Sequence, residues 1–443
     1  MNPNPRLPHL PTTLSAGHPH RSYRRLCALA AAIALATAGC AQAGGAQSGA
    51  GPASGANPSQ SGVATQSGGP QSAAQSGASA TADGHGHIEG AQEVEEAPVA
   101  LVTLDKNGAL ALVDLVSLEA TPLATAGGAT TLRTDDRFIA ATDAEGTTTL
   151  VDSGRWTWDH GDHQHYYLAP SRTIGTLPIK GVPTLASSTT RTVVAADKTA
   201  LVLDREKLGE GTLAEVSRID IDAGAWAGPI AGHIATVKNG KALLLKEDGT
   251  DSGAAPVDCA EARGGALTRA GLVLGCRGGV VIAAEPTDEK TPPSLTWLPL
   301  PEGTDAASSP IAFHTRPRRP LLVASNEGGA MWLLDVRKKE WTSLPNPAGI
   351  PHATTVDDRH DTTIGVAGDG SVHVWSDAQE KTTTEAGQAS PTIPSAGVPV
   401  STNRAWVGAA DGQSIIEFDP ADGARVARTI PAKDLVDFVE VGL

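Results

Sequence analysis

From residue 98 to the C-terminus, runs of alternating or near-continuous apolar residues come in pairs around a short turn. The turns carry Gly, Asp or Asn. The pairs are "VALVTLDKNGALALVDL" (99–115), "RFIAATDAEGTTTLVD" (137–152), "TVVAADKTALVLD" (192–204), "HIATVKNGKALLL" (233–245), "LVLGCRGGVVIA" (272–283), "PLLVASNEGGAMWLLD" (320–335), "TIGVAGDGSVHVW" (363–375) and "RAWVGAADGQSIIEFD" (404–419). Period-2 patterning with turn residues between the runs predicts β-hairpins, and no long window has helical periodicity. The turns recur about every 43 residues, the spacing of a repeat with four short strands per unit. The pattern therefore predicts an all-β β-propeller over residues 98–443. Eight hairpins favour eight blades, with seven as the alternative if the first and last units share a blade; a β-sandwich array is the other all-β possibility. Small residues in the first run of a hairpin (Ala140, Ala141, Ala195, Ala196, Gly365, Ala367) suit inner strands crowded at an axis. The closing "DFVEVGL" (437–443) suits a strand that completes the first blade.

The N-terminal region reads differently. Residues 1–39 carry a basic flank (Arg21, Arg24, Arg25) and the apolar segment "LCALAAAIALATA" (26–38), as a signal peptide does. It ends in "TAGC", a lipobox-like junction at which Cys40 would be lipidated, although Thr37 stands where leucine is usual. Ordinary cleavage and free secretion is the alternative. Residues 41–82 are almost entirely Gly, Ala, Ser, Gln, Thr and Pro, a composition that cannot offset the entropy cost of ordering. The expected layout is a lipoprotein signal peptide (1–39), a disordered tether (40–97) and the propeller. Such a tether reaches roughly 35–40 Å.

Composition narrows the function. A net charge of −15 and 3% aromatic residues argue against a nucleic-acid surface. Cys259 and Cys276, the two cysteines outside the signal, suit a disulfide in an exported protein, with a thiolate metal pair as the alternative. No nucleophile elbow, P-loop, HExxH or dinucleotide fingerprint occurs, so the chain is not expected to be an enzyme.

The 13 histidines are unevenly placed. "DHGDHQHYYLAP" (159–170) crowds His160, His163 and His165 between Asp159 and Asp162. On an extended chain His163 and His165 share a face, and the Gly161–Asp162 step can bring His160 beside them. Imidazoles so placed suit Zn²⁺; the aspartates can serve as ligands or orient ring N–H groups. Copper and nickel also accept imidazole. The plain alternative is a solvated polar loop. His233 and His314 can each reach the axis from their own blades, or be structural. His352, His360 and His373 read as structural or surface residues. A second cluster, "DGHGHIEGAQEVEEAP" (83–98), places His85, His87, Glu89 and Glu93 on a segment suited to loose, fast metal capture, or to a solubilising linker.

"VDSGRWTWDHGDHQHYY" is similar to the signature stretch of AztD-type zinc metallochaperones, exported propeller proteins that serve ABC zinc importers. "HGHIEGAQE" (85–93) resembles the mobile H-x-H-x5-E segment of that family at His85, His87 and Glu93, and "DCAEARGGALTRAGLVLGC" (258–276) resembles its paired-cysteine region. The resemblance implies a monomer that binds Zn²⁺ in the propeller. It would pass the ion to the zinc solute-binding protein of an ABC importer at the outer side of the membrane, held there by a lipid anchor alone. The other classes open to such a chain are a metal-free propeller scaffold and a metal-dependent propeller hydrolase.

Overall fold

The computed structural model describes residues 88–159, 163–284, 291, 293–326, 328–384, 394, 397–401 and 403–443. The signal peptide, Cys40, the 41–82 tether, His85, His87, His160 and Asp162 lie outside the described residues.

Eight antiparallel sheets form a ring, seven of four strands and one of three. Each predicted hairpin is present. Blade 3 shows the plan: Thr184–Ser187, Arg191–Ala196, Thr199–Asp204 and Glu215–Asp220 pair in chain order. In blade 8 the innermost position is held by Val400, bridged to Ala405, and three strands follow. The C-terminal strand Leu435–Val441 pairs antiparallel with Ala100–Asp105 and becomes the innermost strand of blade 1. Chain end and propeller start thus share one sheet, and the ring closes without an open seam.

The hairpins occupy the two middle strands of each blade, not the inner position expected from their small residues. The reason is burial on both faces. Middle strands are covered by the blade before and the blade after, so they carry the long apolar runs. In blades 3, 4 and 6 the true inner strands are short and weakly patterned, "TLAS", "AGPI" and "AFH". Apolar clusters fill every interface. Leu104 and Val439 of blade 1 meet Leu132 of blade 2, and on the other face of blade 1 Leu101 and Phe438 meet Trp406 and Ile415 of blade 8. Aspartates at the turns give the hairpins their geometry: the Asp105 carboxylate accepts the N–H groups of Asn107 and Ala109 at 2.8 and 2.9 Å.

Cys259 and Cys276 form a disulfide, which excludes the thiolate-pair alternative. Cys259 follows the outer strand of blade 4 and Cys276 ends the second strand of blade 5, so the bond ties neighbouring blades together. A loop of this length contributes about 3 kcal/mol on the chain-entropy account.

One element stands outside the repeat. Between the third and fourth strands of blade 2 the chain inserts the hairpin Arg155–Asp159/Gln164–Leu168. A third strand, Gln92–Val94, joins its free edge to form a three-stranded side sheet. The 40–97 stretch expected to be a disordered tether is therefore ordered from Ile88 onward. The cause is a local apolar cluster: Ile88, Trp156 and Tyr167 are buried together, with Ala91, Trp158 and Ala169 packed against them.

The first strands of the blades line an axial cavity of about 720 Å³, with Arg133, Leu267, His314 and Glu440 among its walls. A second cavity of about 480 Å³ lies against Trp156 and Trp158 of the side sheet. Asp136, Asp159, Arg318 and Leu443 line both.

Candidate metal centre

The side sheet is anchored at its root. Ala169 N–H donates to the Gly154 carbonyl at 2.7 Å, closing the insertion. Gly154 has φ +72°, and a Cβ there would lie 2.1 Å from the Ala169 oxygen, so only glycine fits. Beneath the sheet, Arg137 donates to both Asp152 oxygens at 3.0 and 2.8 Å, and its guanidinium lies 3.8 Å from the Trp156 ring centre. Trp156 in turn stacks on Tyr167 at 5.2 Å. A buried, bidentate ion pair capped by an aromatic face fixes where the hairpin leaves the propeller.

On this platform the strand Gln164–Leu168 presents alternate residues on one face. His165 stacks over Tyr167 with ring centres 6.3 Å apart. His163 meets His165 edge-on at 4.9 Å, and their Nε2 atoms are 3.0 Å apart. On the other side of His165, Nδ1–H donates to Glu93 Oε1 at 2.7 Å. A carboxylate can only accept, so this bond fixes the proton on Nδ1 and directs the Nε2 lone pair toward His163. A hydrogen bond between the two Nε2 atoms then requires His163 to supply the proton. Two imidazole ligands of a tetrahedral ion bound at 2.0–2.1 Å are separated by about 3.4 Å, so a few tenths of an ångström separate this pair from ligand spacing. Among the described residues no three His, Cys, Asp or Glu side chains are placed to hold a metal ion. The geometry explains this, because Glu93 sits behind the His165 ring while the two Nε2 atoms face each other.

The other candidates are dispersed. Asp159 accepts from Gln164 Nε2 at 3.3 Å and lies 3.9 Å from Arg318 Nη1, an arrangement that points it toward the cavities. His233 stands at the start of the second strand of blade 4, and its Nδ1–H donates to the Ala231 carbonyl at 2.9 Å. His314 ends the inner strand of blade 6 and lines the axial cavity. There its Nε2 lies 3.4 Å from Nδ1 of His352, which comes from the chain just before the inner strand of blade 7. Sequence reasoning read His352 as a structural or surface residue; His314 ends its strand whereas His352 precedes its own, so no shared pattern linked the two. Burial, and then the charge of Arg133, hold His352 below the usual imidazole range. His373 is buried, bonded to Ser371 Oγ at 2.9 Å and Glu380 Oε1 at 2.6 Å and stacked on Trp375, which makes it part of the blade 7 core.

No protein-family profile and no curated protein matches the chain. Among solved structures the chain is similar to apo AztD from Citrobacter koseri: TM-score 0.63, 14% identity, over 77% of this chain and 98% of that one. A second structure of Citrobacter koseri AztD gives TM-score 0.61 and 16% identity, over 77% of this chain and 97% of that one. At this identity the likeness establishes the fold, an AztD-like β-propeller. No helix among the described residues is long and apolar enough to cross a membrane.

Proposed function

We propose that this chain is an exported zinc chaperone. It holds Zn²⁺ on the side sheet and hands the ion to the solute-binding protein of an ABC zinc importer. The observation that supports this most is the His163–His165 pair, two facing Nε2 atoms with Glu93 setting the tautomer of one ring. The ion is cargo. It replaces the proton shared by the two rings, which leaves to solvent, and two further ligands drawn from His160, Asp162 and an incoming group complete the tetrahedron. His163 is exposed and His165 half-buried, so a ligand from the acceptor can join before a chaperone imidazole leaves. Such associative exchange breaks no covalent bond, so the chain is no enzyme. His85 and His87 lie immediately before Ile88, the buried anchor of the side sheet, and serve as transient ligands at high effective concentration. The export signal and Cys40 place the protein on the outer face of the membrane.

Titration against a chelating dye should give about one tight Zn²⁺. His163→Ala with His165→Ala should weaken it by on the order of 100-fold or more with the melting temperature unchanged. In stopped flow, zinc-loaded protein should load the metal-free solute-binding protein faster than zinc dissociates spontaneously, and His85→Ala with His87→Ala should slow only that transfer. Unchanged affinity in the first variant, or transfer at the spontaneous rate in the native protein, rejects the reading. Cys40→Ser should move the protein from the membrane to the soluble exported fraction; a native protein without acyl chains by mass spectrometry rejects the anchor.

A further inference from the structure

The zinc reading leaves the axial cavity unused, and that cavity is lined by two acids whose burial opposes their ionisation. Glu440 lies on the innermost strand of blade 1 at 5% exposure, and its Oε1 has no hydrogen-bond partner among the described residues. Asp136 follows the inner strand of blade 2. Its backbone is pinned on both sides, the N–H donating to Thr134 Oγ1 at 3.0 Å and the carbonyl accepting from Gly442 N–H at 2.7 Å. Both residues line the same space. Burial pushes Asp136 up to about 7 against the pull of Arg318 and Arg205, with Asp135 adding to the rise. Burial also raises Glu440 well above the carboxylate range; Asp136 and Glu417 add to the effect and Arg316 opposes it.

Of the nearby guanidinium groups, Arg205 pairs with Asp135, Arg318 lies beside Asp159, and Arg316 donates to the Val356 carbonyl at 3.2 Å. Arg133, in the cavity wall, donates to the Leu132 carbonyl at 2.9 Å and feels the charge of Asp437; Arg269 lines the same wall. The remaining wall is mixed, with Thr184, Ser187, His314 and His352 beside apolar residues such as Leu185 and Leu267. About 720 Å³ is far more than a bare ion fills and falls in the range of small-molecule pockets, which are apolar with a few placed polar groups. Buried carboxyls of this kind favour a ligand that supplies positive charge and N–H donors together.

We propose that the axial cavity binds a small organic ammonium ion, its head between the carboxyls of Glu440 and Asp136 and its hydrocarbon along Leu185 and Leu267. Binding lets both acids ionise, so it releases protons. The carboxyl pair is distinct from the His163–His165 pair, although Asp159 of the side sheet lines the same cavity, and the proposal does not depend on the zinc reading.

The test is calorimetric titration of the zinc-free protein with n-butylammonium chloride and, separately, with 1-pentanol, its uncharged counterpart of similar size. The ammonium ion should bind at about millimolar Kd, the range open to a ligand of so few atoms, and roughly tenfold or more tighter than the alcohol. Glu440→Gln with Asp136→Asn should remove that preference while leaving zinc affinity unchanged. In the native protein the affinity should fall as pH drops from about 8 to about 5.5, because both carboxyls then keep their protons. Equal binding of the alcohol, no heat at about 50 mM ammonium, or a pH-independent affinity each overturns the proposal. If the double variant does not fold, the pH series and the alcohol comparison on the native protein decide it.

Discussion

The side sheet and the axial cavity are built from the same residue types and treat them in opposite ways. On the side sheet, three short strands rest on a cluster of three buried side chains, and the imidazoles stand at the surface. Water still reaches them, so exchanging one ligand for another carries little desolvation cost. In the axial cavity the walls are the inner strands of eight packed blades, and His314, His352, Asp136 and Glu440 sit in a confined space. Ionisation there is costly, and the acids hold protons that surface acids lose. The same donors thus suit handover in one place and retention in the other.

The contrast can be sharpened first at Glu93. If Glu93 orients His165, Glu93→Ala should weaken zinc binding by about 10- to 100-fold, the usual cost of removing such a partner, while Glu93→Gln, which still accepts from Nδ1–H, should recover most of it. Competition titration with a chelating dye reads both, and equal losses in the two variants would show that Glu93 acts as a ligand instead. A smaller effect is expected at Asp136. Its folded pKa of about 7 lies above the value of an unfolded aspartate, so the folded state holds the extra proton between roughly pH 4 and 7 and loses stability as pH rises through that window. Asp136→Asn should therefore raise the melting temperature by about 2 °C at pH 8 and leave it unchanged at pH 4.5. Asparagine tolerates the φ of +78° at this position, so the backbone adds no penalty. A calorimetric scan showing the same shift at both pH values would mean that Asp136 is not protonated by its surroundings.

How much was legible depended on the range of each interaction. The eight hairpins could be read because alternation and Asp or Gly turns act within about a dozen residues. The closing strand could be read because its apolar pattern had no partner nearby in the chain. Strand position within a blade was misjudged, because small residues signal crowding from any side and the middle strands are crowded on both faces. The site was legible in part. His163 and His165 face the same way because a strand repeats every two residues. The order of residues 88–97 was missed, because Ile88 is one apolar residue among polar ones and its partners Trp156 and Tyr167 lie far along the chain.

By itself the sequence determined the all-β repeat, the number of hairpins and the pairing of two histidines on one strand face, since each follows from neighbours in the chain. Tertiary structure alone decided that Glu93 holds His165 across a separation of 72 residues, that His314 and His352 meet at the axis, and that Asp136 and Glu440 share one cavity. Those contacts exist only once the ring closes. Which strands line the axis is set by how eight twisted sheets pack, a property of the whole circle and of no single repeat.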